Sequence, residues 1–317
     1  MRSNVSVVIA TYNAAAFIAS SLSSIFTQTE PPAEIVVVDD HSTDETPNLV
    51  SAMAAKSSVP IRLMRLGQNS GGPSRPLNVG IEAARCEYIA LMDQDDLMRP
   101  RKIEAQRRAL EGCPHCRVVI GRFSIIGNEE NDMSPMWPVS QLDGLGPIDE
   151  TPEYSVIDSE IAFKGLLRRN YAGSMSGLCL TRASFQNLGG FDDTIYTCAD
   201  LDFLLRATLA GPIAIVNETV FDYRWSSNSL QRKNVKRSQL EGAMVRLRAA
   251  AKKPGWAGED LNELRHSALT LAKTAITNGD FRGIQVLGEI LSKYKGLQVI
   301  RKNINNRTRR LIGLPSR

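Results

Sequence analysis

The chain has 317 residues, of which 43% are hydrophobic and 23% are charged, so it is long enough to bury a full core and has the composition of an ordinary soluble protein. No apolar run reaches the length of a membrane-spanning helix, and the amino end lacks the basic start and long apolar stretch of a signal peptide. The five cysteines, an odd number, do not indicate a disulfide framework, which favours the reducing cytoplasm.

The net charge of +4 conceals an uneven distribution of charge along the chain. Residues 1–235 hold 21 basic and 28 acidic side chains, whereas residues 236–317 hold 17 basic and 6 acidic ones. A basic carboxyl-terminal region on an acidic body favours contact with phosphate groups, such as an anionic membrane surface or a lipid-linked substrate, over nucleic acid. A solvated basic helix without a partner explains the charge alone equally well.

Hydrophobic periodicity predicts alternating strands and helices over the first 120 residues. The predicted strands cover 5–10, 35–38, 61–66 and 88–92. The predicted helices cover 14–27, a segment from just after Asp44 to about 55, a segment from Pro73 or Pro76 to about 85, and 100–111. This order predicts an α/β fold with a mostly parallel sheet and right-handed crossovers.

The pattern changes after residue 123, which divides the body into halves at 1–123 and 124–235. Residues 124–156 are rich in proline and glycine and lack periodicity, so they predict a long loop or lid. Beyond them we expect helices over 158–169 and 199–210 and strands over 177–180, 213–216 and 220–224. The period is helical throughout 236–317, which predicts a basic helical appendage that could dock on a membrane or form a homodimer surface.

The predicted strand Tyr88–Met92 is followed by three carboxylates within four positions: Asp93, Asp95 and Asp96. Clustered carboxylates repel one another, and burying them is costly unless a cation compensates. Hard oxygen ligands suit Mg²⁺ or Mn²⁺, so the cluster predicts a divalent metal site. A solvated acidic turn is the alternative.

Two other predicted strands also end in polar or aromatic side chains. The first strand leads into Tyr12, and the second leads into Asp40. Because ligands of doubly wound sheets bind outside the carboxyl ends of the strands, an aromatic ring, a carboxylate and a metal site would line one crevice, as a nucleoside diphosphate requires. The chain has neither a P-loop sequence nor a Gly-x-Gly-x-x-Gly after its first strand, which argues against P-loop NTPases and dinucleotide-binding folds.

Several motifs in this order resemble those of the family 2 glycosyltransferases, and the resemblance covers roughly residues 3–230. They lie at 5–13, 36–44, 69–72 continuing to 78–81, 92–96, 189–192 and 199–202. The resemblance implies a GT-A fold with a nucleotide-binding half at 1–123 and an acceptor-binding half at 124–235. It also implies inverting transfer of a sugar from a nucleotide-diphosphate donor, UDP being our choice, to a glycan or lipid-linked acceptor of surface polysaccharide synthesis.

The resemblance also implies roles for individual residues on the donor side. Tyr12 would stack on the base and Asp40 would bond the base or ribose, with Ala10 and Asn69 in the same nucleotide pocket. Asp95 would bind Mn²⁺ or Mg²⁺ directly, and Asp93 would lie near both ribose and metal. Asp96 would support the metal ligands or cap the helix that begins near Pro100.

On the acceptor side, the family pattern places the catalytic base at Asp200, since an acceptor hydroxyl needs a carboxylate to take its proton. Asp202 lies two positions further on and is interpreted as structural or acceptor-orienting. Besides Asp202, three aromatic or basic side chains are candidates for contacts with the acceptor or the diphosphate. They are Trp137, Arg224 and Trp225.

Two departures from the family pattern keep alternatives open. Ala199 stands where the family usually has Glu, and Ser226 stands where many relatives carry a metal-binding His. These support a relative that binds a nucleotide sugar without turnover. A sugar-nucleotide pyrophosphorylase is a further alternative, although Ala10–Ala16 offers no glycine-rich basic loop for pyrophosphate.

The segment Cys113-Pro-His-Cys116 has the spacing of a redox dithiol. It follows a predicted helix instead of opening one, which argues against redox chemistry, and the chain has no second cysteine pair for zinc. We therefore expect these two thiols to have no chemical role.

Overall fold

The computed structural model describes residues 3–127, 145–226, 229–253 and 266–267. Trp137 and most of the basic carboxyl-terminal region lie outside these ranges. Predictions that concern them stay predictions.

The first half of the chain builds a parallel sheet with a connecting helix after each strand. Its strands are β1 (Val5–Thr11), β2 (Glu34–Asp39), β3 (Ile61–Arg65) and β4 (Tyr88–Asp93), followed by the short β5 (Leu97–Met98). Its helices are α1 (Ile18–Phe26), α2 (Thr46–Ala54), α3 (Ser74–Ala83) and α4 (Lys102–Gly112). Strands β1 and β2 are buried along almost their whole length, because helices cover both faces of the sheet. The alternation predicted from periodicity is confirmed here.

The second half adds strands of mixed direction and further helices. The strands are β6 (Val119–Ile126), β7 (Pro147–Glu150), β8 (Tyr154–Ile157), β9 (Leu178–Thr181) and β10 (Ile213–Arg224). The helices are α5 (Ser159–Arg168), α6 (Arg182–Asn187), α7 (Ala199–Ala210), α8 (Leu230–Lys233) and α9 (Val235–Ala250), and a 3₁₀ turn covers Met175–Gly177.

All ten described strands belong to one sheet. Its order is β3-β2-β1-β4-β9-β6-β10-β8-β7, with β5 paired to β10 off this path. Strand β9 is antiparallel to both of its neighbours, β4 and β6, whereas β10 runs parallel to β6. The sheet is therefore parallel in the first half and mixed in the second, with apolar clusters on both faces.

The prediction of a loop over 124–156 is wrong for both of its ends. Strand β6 continues to Ile126, and β7 and β8 form an antiparallel hairpin, while residues 128–144 lie outside the description. The hairpin pairs with β10, so its strands are stabilised by a distant partner and leave little periodic signal in their own short sequences. The two strands predicted over 213–216 and 220–224 are one strand with register shifts between Ile215 and Phe221.

The first helix of the basic region packs into the body. Helix α9 contacts α7, and its apolar residues, Val245 and Leu247 among them, belong to the same cluster as Phe203 and Leu204 of α7. The division at residue 235 stays a prediction. Helix α9 begins at that boundary in the sequence, yet it packs against the body as part of the same core.

Cys113 and Cys116 are paired, which the odd number of cysteines did not lead us to expect. A turn after α4, in which the N–H of Cys116 donates to the carbonyl of Cys113 over 2.9 Å, brings the two residues together, and they form a disulfide. The other three cysteines are buried and free. No helix within the described ranges is long and apolar enough to cross a bilayer.

Candidate functional site

The ends of β1, β2 and β4 lie side by side at one edge of the sheet. Thr11 is in register with Asp39, and Ala10 is in register with Asp93. Because the strands are parallel, each leads its following residues toward the same crevice. The side chains predicted to share one site therefore start from neighbouring positions.

Hydrogen bonds between the loops after these strands hold the tips together. The N–H of Tyr12 donates to Oε1 of Gln94 over 2.7 Å, which joins the end of β1 to the turn after β4. Asn13 adopts a positive φ of 49°, and its Oδ1 accepts from the N–H of Thr43 over 2.8 Å. The side chain of Tyr12 is left 44% exposed, so a face of the ring is open to a ligand.

Asp40 is buried at the base of the crevice, with 4% of its surface exposed. Its carboxylate accepts from the N–H of Ser70 at 2.9 Å and from the hydroxyl of the same residue at 2.9 Å. Asn69 donates from Nδ2 to the backbone carbonyl of Asp40 over 3.0 Å. The carboxylate is thus oriented from one side, and the loop at Asn69 is tied to the strand that carries it.

The acidic turn after β4 brings the carboxyl groups of Asp93, Asp95 and Asp96 together in a largely buried place. Burial raises the pKa of Asp93 well above its usual range, and the charges of Asp96, Asp95 and Asp200 add to the rise. Burial also raises the pKa of Asp95, against the attraction of the Arg224 guanidinium. Raised pKa values in a cluster of this kind are the signature of a site that a bound cation would stabilise.

Asp96 differs from the other two carboxylates because its oxygens are already engaged. Oδ2 accepts from the hydroxyls of Ser174 at 3.1 Å and Ser176 at 2.7 Å, and Oδ1 accepts from the N–H of Arg224 at 2.8 Å. Burial raises the pKa of Asp96 to about 7. The predicted helix-cap role is wrong, since α4 begins at Lys102 with Arg101 as its N-cap and no side-chain cap.

Asp200 lies in the first turn of α7, with 8% of its surface exposed. Asn170 donates from Nδ2 to Oδ2 over 2.5 Å, and the N–H of Leu201 donates to Oδ1 over 2.8 Å. The amide of Asn170 is held in this orientation because its Oδ1 accepts from the N–H of Ala172. Burial raises the pKa of Asp200, and the charge of Asp200 in turn adds to the raised pKa of Asp93.

Asp202 contacts a residue of its own helix. It forms an ion pair with Arg206, whose Nη2 lies 2.8 Å from Oδ2. The same guanidinium donates to the carbonyls of Leu188 and Gly190. Asp202 therefore helps to join α7 to the turn that precedes Phe191.

Arg224 and Trp225 lie at the end of β10, beside the acidic turn. Nε of Arg224 donates to the backbone carbonyl of Asp95 over 2.7 Å, so this cation braces the turn through its backbone. The guanidinium of Arg232 stacks on the ring of Trp225, 3.0 Å from the centroid. Trp137, the fourth candidate for this side, is not among the described residues.

A divalent metal would have to be held by few protein ligands. Within the described ranges, no group of three or more His, Cys, Asp or Glu side chains is arranged to hold one. Mg²⁺ and Mn²⁺ in nucleotide sites commonly take only one or two carboxylates and complete their shell with phosphate oxygens and water. Asp93 and Asp95 fit that pattern, because burial makes their negative charge costly and raises the pKa of each, and because Asp96 is already bonded elsewhere.

Several residues that shape the site were missed by sequence analysis. Gln94 joins two strand tips, Asn170 orients Asp200, and Ser174 and Ser176 hold Asp96. Each is an ordinary polar residue in a loop, and its partner is distant in the sequence. No local signal distinguishes it from a solvated side chain.

A family model described as Glycosyl transferase family 2 matches residues 6–173. The succinoglycan biosynthesis protein ExoO of Rhizobium meliloti is 41% identical over 108 residues, which are 34% of this chain and 29% of that protein. The uncharacterized glycosyltransferase RC0461 of Rickettsia conorii is 33% identical over 232 residues, which are 72% of this chain and 35% of that protein. The chain thus matches about a third of the length of each of these two relatives.

Solved structures share the fold at low sequence identity. TarS residues 1–349 of S. aureus in complex with UDP superimpose with a TM-score of 0.63 at 19% identity, covering 99% of this chain and 86% of that one. The mannosyltransferase PcManGT of Pyrobaculum calidifontis, in complex with GDP-Man and Mn²⁺, has a TM-score of 0.53 at 18% identity, covering 98% and 85%. The predicted GT-A fold is confirmed.

Proposed function

The chain belongs to glycosyl transferase family 2, and we propose that it transfers a sugar, with inversion, from a UDP-sugar to a hydroxyl of a bacterial surface glycan or its lipid-linked precursor. The observation that carries the proposal is that one segment, residues 170–176, bonds both acidic groups: Asn170 donates to the buried acid Asp200, and Ser174 and Ser176 donate to Asp96 of the acidic turn. Asp200 and Asp93 come from different halves of the chain, and an inverting transfer needs them together.

The donor proposal is supported by the shape of the crevice. The exposed ring of Tyr12 offers a face for a base, while the buried carboxylate of Asp40 and the Asn69 loop offer acceptors and donors for base and ribose. UDP and UDP-GlcNAc complexes of TarS favour uridine as the base, and ExoO and TarS favour a surface glycan as the product class.

We propose that Asp95 and Asp93 would hold Mn²⁺ or Mg²⁺ together with the diphosphate of the donor. When bound, the metal would offset the negative charge that develops on the leaving diphosphate. Arg224 donates to the backbone of the same turn, and its positive charge favours the ionised form of Asp95, as a bound cation would.

The transfer step assigns the proton to Asp200. The acceptor oxygen attacks the anomeric carbon from the face opposite the diphosphate, the bond from that carbon to the diphosphate oxygen breaks, and the acceptor proton moves to a carboxylate oxygen of Asp200. Burial strengthens the carboxylate as a base by raising its pKa, and the bond from Asn170 aims it. The departing UDP carries away the electron pair of the broken bond.

Replacing the proposed base should stop transfer and leave donor binding intact. We expect Asp200→Asn to lower kcat by about a thousand-fold or more, since general-base catalysis contributes about 10²–10⁴ and the amide cannot accept the proton. The measurement is product formation from a panel of UDP-sugars with Mn²⁺ or Mg²⁺, with an arm containing EDTA, beside calorimetric binding of UDP. The matched control is Asp202→Asn, which removes the same negative charge two positions further along the same helix. Undiminished turnover in Asp200→Asn would refute the base assignment.

A relative that binds a nucleotide sugar without turnover is the second candidate. Ala199 and Ser226, where the family usually has Glu and many relatives have His, favour it. Tight UDP-sugar binding by the wild type, without product from any acceptor or water, would select it over the transferase. The pyrophosphorylase alternative finds no support in the family match.

The location of the protein is proposed from charge. We propose that it works in the cytoplasm and docks on the inner membrane face through the basic region 236–317, which carries 17 basic and 6 acidic side chains. A homodimer through the same region is the competing use of its amphipathic pattern.

A further inference from the structure

Helix α9 places a buried carboxylate against the segment that leads into the proposed base. The side chain of Glu241 is 5% exposed and accepts four hydrogen bonds or ion-pair contacts. Its donors are the N–H of Tyr196 at 3.1 Å, the N–H of Thr197 at 2.6 Å, the hydroxyl of Thr197 at 2.8 Å and Nε of Arg237 at 2.8 Å. Three of the four come from the two residues just before the start of α7.

The N-terminus of helix α7 has no side-chain cap, so the contacts from α9 are important for its position. Its N-cap is Cys198, which provides no side-chain hydrogen bond to the helix. Instead, Sγ of Cys198 donates to the carbonyl of Ser238 on α9 over 3.5 Å. The position of the first turn of α7, and with it Asp200, is therefore set by contacts with α9.

The same segment also contacts the donor side. The guanidinium of Arg237 lies 4.1 Å from the centroid of the Tyr196 ring, and the ring also lies close to Gly71 and Gly72, where an added Cβ would come within 3.8 Å and 3.2 Å of it. That glycine turn follows Ser70, which holds the carboxylate of Asp40. Glu241 thus anchors the piece of chain that lies between the nucleotide-side loop and the proposed base.

We propose that Glu241 is a positioning residue for Asp200, a role that rests on the proposed transferase function. The carboxylate holds residues 196 and 197 so that the first turn of α7 presents Asp200 to the acceptor hydroxyl. Charge-assisted hydrogen bonds from two backbone N–H groups give a defined geometry, and small misplacements of a catalytic group are costly in rate.

The test is Glu241→Gln in the full-length protein. The amide keeps the size of the side chain, but its NH₂ group is a donor. It would therefore face N–H and O–H donors that now hydrogen-bond to a carboxylate oxygen. We expect kcat to fall by about ten-fold or more while the KM for the UDP-sugar stays within about two-fold, because the proposed nucleotide residues Tyr12, Asp40 and Asn69 are held by bonds to segments other than α9. A purely structural role would lower the melting temperature and leave kcat per folded molecule unchanged, and that result would overturn the proposal.

Two further variants keep the result interpretable if Glu241→Gln folds poorly. Thr197→Val removes the hydroxyl that donates to Glu241 and also contacts Sγ of Cys198, but it keeps both backbone donors, so we expect a smaller fall in kcat, about two- to five-fold, with unchanged donor KM. The double variant should show less than the product of the two effects. Gln239→Ala, on an exposed position of the same helix, is the control and should match the wild type. Full kcat in Thr197→Val together with full kcat in Glu241→Gln would reject the inference, whereas an inactive wild type would reject the proposed function instead.

Discussion

The four acids of the site differ in what their oxygens touch. Asp96 accepts from two serine hydroxyls and one backbone N–H, whereas Asp200 accepts from one amide and the N–H of its neighbour. Burial raises the pKa of all four, and the charges of Asp96, Asp95 and Asp200 raise that of Asp93 further. We conclude that Asp96 braces the turn, while the remaining acids are the ones poised to meet a ligand.

The raised pKa of Asp96 predicts a pH-dependent stability. Its folded-state pKa is about 7, compared with about 4 for an unfolded chain, so the folded protein binds this proton more tightly. The stabilisation is complete below pH of about 4 and is lost as the pH rises toward 7, by up to about 1.4 kcal/mol per pH unit. The difference in unfolding free energy between the wild type and Asp96→Asn should therefore shrink over that window.

Denaturant unfolding of metal-free protein between these pH values measures the difference directly. The exposed Glu87→Gln variant is the control and should run parallel to the wild type. A difference between wild type and Asp96→Asn that stays constant, or grows with pH, would contradict the assignment.

At the scale of elements, helix α3 shows how closely the helices lie on the sheet. A Cβ at Gly80 would lie 2.5 Å from Cγ1 of Val8 and 3.1 Å from Cγ2 of Val38. The absence of a side chain lets α3 rest directly on β1 and β2, the two strands whose tips hold Tyr12 and Asp40. The helix contact thus supports the strands that form the donor side.

Gly80→Ala should push α3 away from the sheet. Overpacking of this kind costs about 1–3 kcal/mol of unfolding free energy, partly offset by about 1 kcal/mol of helix propensity. Chemical denaturation would measure the net loss, and we expect it to be destabilising because both neighbours are buried side chains of the core. Gly67→Ala is the matched control, since nothing lies within 4 Å of its added Cβ, and it should change stability by less than about 0.5 kcal/mol. Equal stabilities of the two variants would show that the helix can move at no cost.

At the scale of the whole molecule, acidic and basic charge are separated along the chain. The body through residue 235 is net acidic and the remainder is net basic. Helix α9 buries its apolar face on α7, yet Lys236 and Arg237 at its start are exposed. A basic surface next to an acidic site would orient the molecule on an anionic membrane with less repulsion between the site and the lipid.

The full-length protein should bind anionic vesicles in a salt-dependent manner. We expect co-sedimentation with phosphatidylglycerol-containing vesicles at about 50 mM salt and release at about 500 mM, because screening shortens the reach of surface charge. Vesicles of phosphatidylcholine alone are the lipid control, and Arg309→Gln combined with Arg310→Gln should weaken binding. Binding that is indifferent to salt, or equal on both lipids, would count against electrostatic docking.

Sequence patterns identified the parallel half of the fold and the donor side of the site. Buried parallel strands appear as continuous aliphatic runs, and polar residues that follow them must gather at one edge, so Tyr12, Asp40 and Asp93 could be placed together from neighbouring residues alone. The antiparallel hairpin at 147–157 escaped prediction because its strands are short and depend on β10 for pairing.

The sequence alone therefore determined the succession of strands and helices along the first half and the acidic turn after β4, and through family resemblance it predicted Asp200 as the base. Tertiary structure decided which acid is a brace, which amide aims Asp200, that Glu241 of α9 holds the segment before it, and that Cys113 and Cys116 are joined. The physical reason is the separation of the interacting residues along the sequence. Hydrophobic periodicity depends on neighbouring residues, whereas the partner of a buried polar group comes from a distant segment that packs against it and leaves no local pattern.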